Sequence, residues 1–343
     1  MSAAPPGSSE APAASAAPLS ALGPALVTGA TGFLGGHLVR RLRAEGVPVR
    51  PLSRRAGEDG VRVDLAREAL PAGACDGIAT VFHLAALTHA EAAAAPEAAY
   101  QALNVEGTRR VLDAALAAGV RRFVLASSVK AIGEGGAMRV DEDSEPRPVT
   151  AYGRSKLAAE RLVLAAGDRV HVACLRLPLV YGVGQQGNLR RMIDAIDRGR
   201  FPPPPRRRNR RSMVHVEDVV SALLLLAADP RARGRIYLLA DPEPYATRDL
   251  YDWIREAAGK RPQPLAVPYS VLWALARAGD LAGRLLRRRV PFDGEALEKL
   301  LGSAWYGSDR IAGELGFRPR HDLRDELPAL VADARARRDG SPS

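Results

Sequence analysis

A chain of 343 residues with 47% hydrophobic and 26% charged residues can bury a sizeable core and has the balance of an ordinary globular protein. Its formal net charge of +10 is concentrated locally, at Arg206, Arg207, Arg208, Arg210 and Arg211 and again at Arg287, Arg288 and Arg289. No helix-turn-helix, zinc-finger or aromatic RNA-binding pattern accompanies these arginines, so nucleic acid is not an expected partner. Cys75 and Cys174 stand far apart with no CxxC and no His/Cys pairing, which argues against a disulfide framework or a zinc site and suits two buried thiols in a reducing cytoplasm.

Residues 1–22 are Ala, Pro, Ser and Gly with almost no charge; lacking a basic start and an apolar core, they predict a disordered tail and not a secretory signal. No apolar run reaches membrane-spanning length. A short apolar strand at 25–27 then breaks into Gly29, Gly32 and Gly35, and an amphipathic helix pattern follows over 33–44. Strand, glycine turn and helix form the opening unit of a dinucleotide-binding sheet: Gly29 for the tight turn, Gly32 for close backbone approach to a pyrophosphate, Gly35 for helix–strand packing. The pyrophosphate is expected on the N–H groups at the helix start, across Thr31, Phe33 and Leu34.

The second strand, 47–52, ends in Ser53, Arg54 and Arg55, with no acid before Glu58. An acid near this point usually receives a free ribose 2′-hydroxyl; a serine and two arginines suit a 2′-phosphate, so NADP(H) is favoured over NAD(H). Further strands are predicted at 61–64, 78–84, 122–126 and 170–175, and helices at 100–118 and 151–166. Asp64, with Leu65, is placed to hold the adenine edge, and the small Ala85 and Ala86 after Leu84 let a cofactor lie close. Such alternation implies an α/β fold with a doubly wound parallel sheet. After Tyr181 regularity falls away into a loop at 182–187, a helix at 188–198 and an extended proline run at 201–205. Strands at 212–216 and 235–240 flank a helix at 219–228, and the last hundred residues read as a mostly helical cap. The nucleotide-binding domain is therefore expected over 23–180 with a return at 206–241, and a smaller substrate domain over 181–205 and 242–338. The segment 269–289 is amphipathic, with Trp273 and Leu275 on its apolar side and a basic end; it suits either a membrane surface or, more commonly, the cover of a substrate domain, and stable membrane insertion is not expected.

Tyr152 and Lys156 lie four apart on the predicted helix 151–166 and share a face. A free tyrosine titrates near pH ~10, too high for a base at neutrality; a nearby ammonium favours the phenolate, so Tyr152 can exchange a proton with a substrate hydroxyl or ketone. Ser128, ending the preceding strand, can hold the same oxygen. His83, His89, His171 and His215 lack metal-ligand spacing, and no metal is expected.

These motifs together resemble the extended short-chain dehydrogenases/reductases of the NAD(P)-dependent epimerase/dehydratase kind. The matching stretches are TGATGFLG (28–35), Asp64, HLAA (83–86), NVEGT (104–108), Ser127 and Ser128, YGRSK (152–156), LRLPLVYG (175–182) and RSMVHVEDV (211–219), in family order. The resemblance implies a Rossmann domain, Ser128 as the hydrogen-bonding serine, Tyr152 as acid/base with Lys156 as its activator, Asn104 at the cofactor, and Pro178, Leu179 and Val180 along the nicotinamide. Asn188 and Arg211 match places where nucleotide-sugar enzymes hold the substrate diphosphate, and the arginines before Arg211 fit the same role. Residues 127–134 are similar to enzymes of bacterial surface-polysaccharide clusters, among them UDP-sugar 4-epimerases and UDP-4-keto-sugar reductases. Ile132, where many sugar epimerases carry tyrosine, is a departure. The expected activity is hydride transfer on a nucleotide-linked sugar, with the absent acid after the second strand tilting towards a reductase. An alcohol dehydrogenase for steroids or other apolar substrates and a non-catalytic NADP-binding sensor are the alternatives; the oligomeric state, a homodimer included, stays open.

Overall fold

The computed structural model describes residues 19–54, 60–88, 95–286, 290 and 292–340. Its strands are β1 (Ala25–Thr28), β2 (Val49–Ser53), β3 (Val61–Arg62), β4 (Thr80–His83), β5 (Arg122–Ser128), β6 (Arg139–Val140), β7 (His171–Leu177), β8 (Leu179–Tyr181), β9 (Met213–His215), β10 (Arg235–Leu238) and β11 (Trp305–Tyr306). The helices are α1 (Phe33–Ala44), α2 (Glu97–Tyr100), α3 (Thr108–Ala117), α4 (Ala151–Leu164), α5 (Asn188–Asp197), α6 (Val216–Ala228), α7 (Thr247–Ala257), α8 (Tyr269–Leu286), α9 (Gly294–Leu301), α10 (Asp309–Leu315) and α11 (Leu323–Arg338).

Seven strands form one sheet in the order β10-β7-β5-β4-β1-β2-β3, every pairing parallel. The chain runs outward from β1 to β3 and returns to place β4 on the other side of β1, so the sheet is doubly wound and the order reverses between β1 and β4. A crevice opens at the carboxyl ends of strands at such a point. β1, β4, β5 and β7 carry apolar residues on both faces and are almost wholly buried, as a sheet covered on both sides requires. Leu38 and Leu42 of α1 join Val219 and Leu223 of α6 in one core layer; Val111 and Leu112 of α3 join Ala159 and Val163 of α4 in the other.

A second body packs α5, α7 and α11 around Leu189, Ile193, Tyr251, Ile254, Leu327 and Val331. Four features differ from the sequence expectation. Leu19–Leu22, placed in the tail, forms a 3-10 turn with Leu22 buried against the sheet core, because its leucines can be covered there. Strand 212–216 is real but leaves the main sheet: β9 pairs with β8 in a separate parallel ladder. Ile311 and Leu315 of α10, expected in the substrate domain, are buried in the sheet core. The helix predicted at 100–118 begins at Glu97 and widens into π geometry over Gln101–Gly107.

Candidate active site

The glycine turn lies at the sheet's switch point. Gly29 has φ +68°, a left-handed conformation open to glycine, and a Cβ there would stand 2.9 Å from the Ala85 nitrogen. The loops after β1 and β4 therefore touch backbone to backbone. A Cβ on Gly35 would stand 2.2 Å from the Gly29 carbonyl oxygen, so α1 presses directly on the turn. Gly32 is the N-cap of α1, offers no side-chain cap, and no acid occupies the first turn. Thr31 and Gly32 are exposed, Phe33 and Leu34 half-buried. This helix start presents its N–H groups uncapped, the arrangement that receives an anion. A dinucleotide fits: the cradle is backbone-lined, and Leu84, Ala85 and Ala86 beside it are half-buried and mostly small.

A chain of hydrogen bonds fixes the β4 loop. The Leu84 and Ala85 N–H groups donate to Thr28 Oγ1 (3.1 and 3.0 Å), and Thr28 Oγ1 lies 2.8 Å from His83 Nδ1. Thr108 Oγ1 donates to the Asn104 carbonyl (2.6 Å) and lies 2.9 Å from His83 Nε2. Each threonine proton is thus assigned, and His83 must carry its own on Nε2. Burial, then the Lys156 charge, pushes its pKa down to about 3, which keeps this imidazole neutral. His83 is structural.

At the far end of the cofactor cleft, Ser53 is half-buried at the end of β2 and Arg54 is exposed. Arg55 lies outside the described residues, as do Glu58, His89 and Arg287 to Arg289. Asp64 Oδ1 accepts the Ala66 N–H (3.1 Å), and Leu65 is buried with its carbonyl bonded to Arg110 (2.7 Å).

The reacting end is built by α4 against β5. A Cβ on Gly153 would stand 2.3 Å from the Lys130 carbonyl oxygen, so the first turn of α4 rests on the 3-10 turn Val129–Ala131 that leaves Ser128. Thr150 caps α4 through the Gly153 N–H (3.0 Å). Tyr152 lies in that first turn, half-buried, with its ring 6.1 Å from that of Tyr100. Ser128 Oγ accepts the Lys130 N–H (3.2 Å), which leaves its own proton for a substrate oxygen. Lys156 is 3% exposed and donates to the Ala126 carbonyl (2.7 Å). Burial lowers its pKa to about 8, while Glu160 and Cys174 pull it back up. At neutral pH it stays an ammonium. Beneath it, Glu160 is wholly buried between Ser127 Oγ (2.5 Å) and the Arg176 guanidinium (3.0 and 2.8 Å).

Asn104 serves as a tie. Its two amide N–H groups go to the Leu87 carbonyl (3.1 Å) and Ser155 Oγ (2.9 Å), and its oxygen accepts the Leu87 N–H (2.7 Å). It joins the β4 loop to α4, with both donors engaged by protein. Pro178, Leu179 and Val180 turn half-exposed after a buried run in β7.

The substrate side shows what motif reading missed. Lys130, two residues beyond Ser128, has its pKa lowered to about 8 by burial and then by the charges of Arg211 and Lys299. Lys130 is itself paired with Glu134, and the exposed Lys299 with Glu295. Arg211 is half-buried, bridges Tyr245 and Ala304 through its backbone, and donates to the Gly302 carbonyl (3.1 Å). Burial lowers its pKa too. Arg206, Arg207, Arg208 and Arg210 are exposed, Arg207 lying 4.3 Å over the Tyr269 ring and Arg210 4.1 Å over Trp305, so Arg211 alone of the run is turned inward. Asn188 is exposed at the start of α5. The only sequence signal for Lys130 was its place in the stretch after Ser128.

His215, Asp218 and His321 also meet, their polar atoms within 4.8 Å, although spacing gave no hint. Asp218 accepts the Arg320 and His321 N–H groups (3.0 Å each) and lies 3.0 Å from His321 Nδ1, and the His215 and His321 ring centroids are 4.1 Å apart at a tilt of 33°. These hydrogen bonds tie the entry of α11 to α6.

Residues 25–240 match the model of the NAD dependent epimerase/dehydratase family. A farnesyl-dihydroquinoline-oxide ketoreductase of Stigmatella aurantiaca is 31% identical, over 89% of this chain and 94% of its own. The UDP-glucose 4-epimerase of Vibrio cholerae is 26% identical over 88% and 92%. Among solved structures, MoeE5 in complex with UDP-glucose and NAD is 32% identical, covers 93% of this chain and all of its own, and superposes with a TM-score of 0.72.

Proposed function

Because the chain belongs to the NAD dependent epimerase/dehydratase family, we propose that it moves a hydride between a nicotinamide dinucleotide and a carbinol or ketone carbon of a nucleotide-linked sugar. Reduction of a UDP-4-keto sugar with NADPH is the form of this reaction we favour; 4-epimerisation uses the same residues. A bound dinucleotide supplies the hydride donor or acceptor. Tyr152 gives its proton to the ketone oxygen in reduction and takes the hydroxyl proton in oxidation. Lys156 holds the resulting phenolate by its charge, and Ser128 donates a hydrogen bond to the same substrate oxygen. Ser53 and Arg54 at the end of β2, with no acid in the sequence before Glu58, support NADP(H).

The observation that supports the sugar-nucleotide reading is Arg211, the one arginine of its run turned inward and held at the Gly302 carbonyl, with its charge felt at Lys130. An inward-turned arginine matches diphosphate oxygens through its forked donors. The likeness of residues 127–134 to surface-polysaccharide enzymes supports that setting. In the test, the purified protein is given NADPH and a UDP-4-keto-6-deoxy sugar, and UDP alone is checked for raising the unfolding temperature. Oxidation of NADPH with thermal protection by UDP is the expected result. Interconversion of a UDP-hexose pair without NADPH oxidation would make the enzyme an epimerase. Absence of UDP protection would turn the reading to an apolar ketone, the class that the Stigmatella relative's name favours.

A further inference from the structure

Helix α8 exposes its apolar residues. Leu272 and Ala276 are buried against Leu297 and Leu301 of α9. Val271, Ala274, Leu275, Ala278, Leu281 and Leu285 are all exposed, Leu281 at 59% and Leu285 at 75%. At 100° per residue these six occupy one stripe roughly 120° wide, pointing away from the buried side. The sequence expectation that this helix covers the substrate domain holds only for its narrow inner edge. Arg277 and Arg284, both exposed, line one border of the stripe, and Trp273 lies beside them, 5.8 Å from the Arg277 guanidinium. The helix's acid, Asp280, accepts the Gly294 N–H (3.0 Å) at the start of α9 and lies 3.9 Å from the Arg277 guanidinium, while the exposed Arg284 has no ion pair among the described residues.

We propose that α8 docks on an anionic phospholipid bilayer, lying in the plane of the interface with its leucines among the acyl chains and its arginines at the headgroups. An apolar stripe bordered by arginine and tryptophan is the composition that such an interface selects. Charge decides the occupant. A second copy mating with the same stripe in antiparallel fashion brings Arg277 and Arg284 of both copies together, while the helix's single acid, Asp280, is already engaged with Gly294 and Arg277 of its own copy. An anionic surface pairs with them instead. Among the described residues no helix is long and apolar enough to span the bilayer, so the attachment is peripheral.

The consequence for the site is positional. α8 and α9 wall a cleft of about 430 Å³ with Arg207, Tyr269, Trp273 and Gly302, and Gly302 is the residue whose carbonyl holds Arg211. Docking sets the substrate-side cleft at the membrane surface.

The test is co-sedimentation of the full chain with vesicles of phosphatidylcholine alone and of phosphatidylcholine with phosphatidylglycerol. Binding to the anionic vesicles is expected at low salt, weakened by high salt, and at least about tenfold weaker on neutral vesicles, since each arginine near the surface contributes about fivefold. Leu275→Glu/Leu281→Glu/Leu285→Glu should abolish it without changing the unfolding temperature, because all three side chains are exposed. Arg277→Gln/Arg284→Gln should weaken it at least about tenfold by the same count, and serves alone if the first variant fails to fold. No sedimentation with anionic vesicles overturns the proposal. So does undiminished binding by both variants, or a concentration-dependent dimer that Leu281→Glu splits while vesicles leave it untouched.

Discussion

Replacing Glu160 by glutamine tests the support under the proton-transfer residues. Both side chains of the Glu160–Arg176 pair are at most 2% exposed. Glutamine keeps the shape and an oxygen to accept from Ser127 Oγ, but it removes the charge that the Arg176 guanidinium faces. An arginine cannot shed its proton to escape, so an uncompensated buried cation is left, at a cost of about 3–5 kcal/mol. Arg176 Nη1 already has no partner among the described residues, so the pair is not ideal and its joint removal should be milder. Glu160→Gln/Arg176→Met is therefore expected to recover most of the loss, giving a coupling of about 2 kcal/mol or more. Unfolding in urea should be followed by far-UV circular dichroism. Fluorescence is a poor probe here, because Trp253, Trp273 and Trp305 all lie beyond the sheet on α7, α8 and β11. A second readout follows from charge: Glu160 raises the Lys156 pKa towards its value of about 8, so its loss moves the alkaline fall of kcat/KM to lower pH. A penalty below about 1 kcal/mol for the single variant, or a double variant no better than the single, would refute this account.

Gly35→Ala puts a Cβ 2.2 Å from the Gly29 carbonyl, where neither partner is a flexible side chain; dinucleotide affinity, measured by calorimetry, should fall at least about tenfold as α1 is pushed off the turn. Tyr152→Phe should cut turnover by about 10² to 10⁴-fold and leave cofactor affinity within about twofold, since it removes the exchanging proton and little else. Burial holds the Asp241 carboxyl up at about 7 against an ordinary 3.8, despite the hydrogen bond from Tyr245 (2.7 Å). The folded state therefore keeps a proton that the unfolded chain releases, and stability declines as pH rises through that window. Asp241→Asn should show a stability advantage growing between those two pH values and then levelling, up to about 4 kcal/mol, in urea titrations at several pH values.

The glycine turn and the helix that carries Tyr152 and Lys156 were legible because their constraints are local. Gly29, Gly32 and Gly35 fall within one turn, and Tyr152 and Lys156 within one helical turn, so spacing alone carries the geometry. The pairing of Arg139 and Val140 with Trp305 and Tyr306 was not legible, because a two-residue strand has no period and its partner lies far along the chain. The same holds for Lys130, Arg211 and Lys299, which come from three segments that only the tertiary fold unites. Arg207 and Arg210 show the converse: a run of like charges gives no sign of which member turns inward, and aromatic rings on α8 and β11 decided it. For α8 the apolar periodicity was plain, yet periodicity defines a face without saying what covers it.

The two halves should consequently separate in kinetics. On the reacting side the decisive contacts are with backbone: a Cβ on Gly153 would stand 2.3 Å from the Lys130 carbonyl, and no substrate is involved in that fit. Gly153→Ala must therefore shift the first turn of α4 and with it Tyr152 relative to Ser128, lowering kcat by about tenfold or more for every substrate tried. Arg211 acts through a side chain that touches the protein at the Gly302 carbonyl and is backed by Lys130 and Lys299. Arg211→Met should raise KM by about tenfold, in line with about 1.4 kcal/mol for a lost charged contact, and leave kcat and dinucleotide affinity nearly unchanged. Equal effects of both substitutions on kcat would mean that the cations act on the reacting groups themselves, and the division would fail.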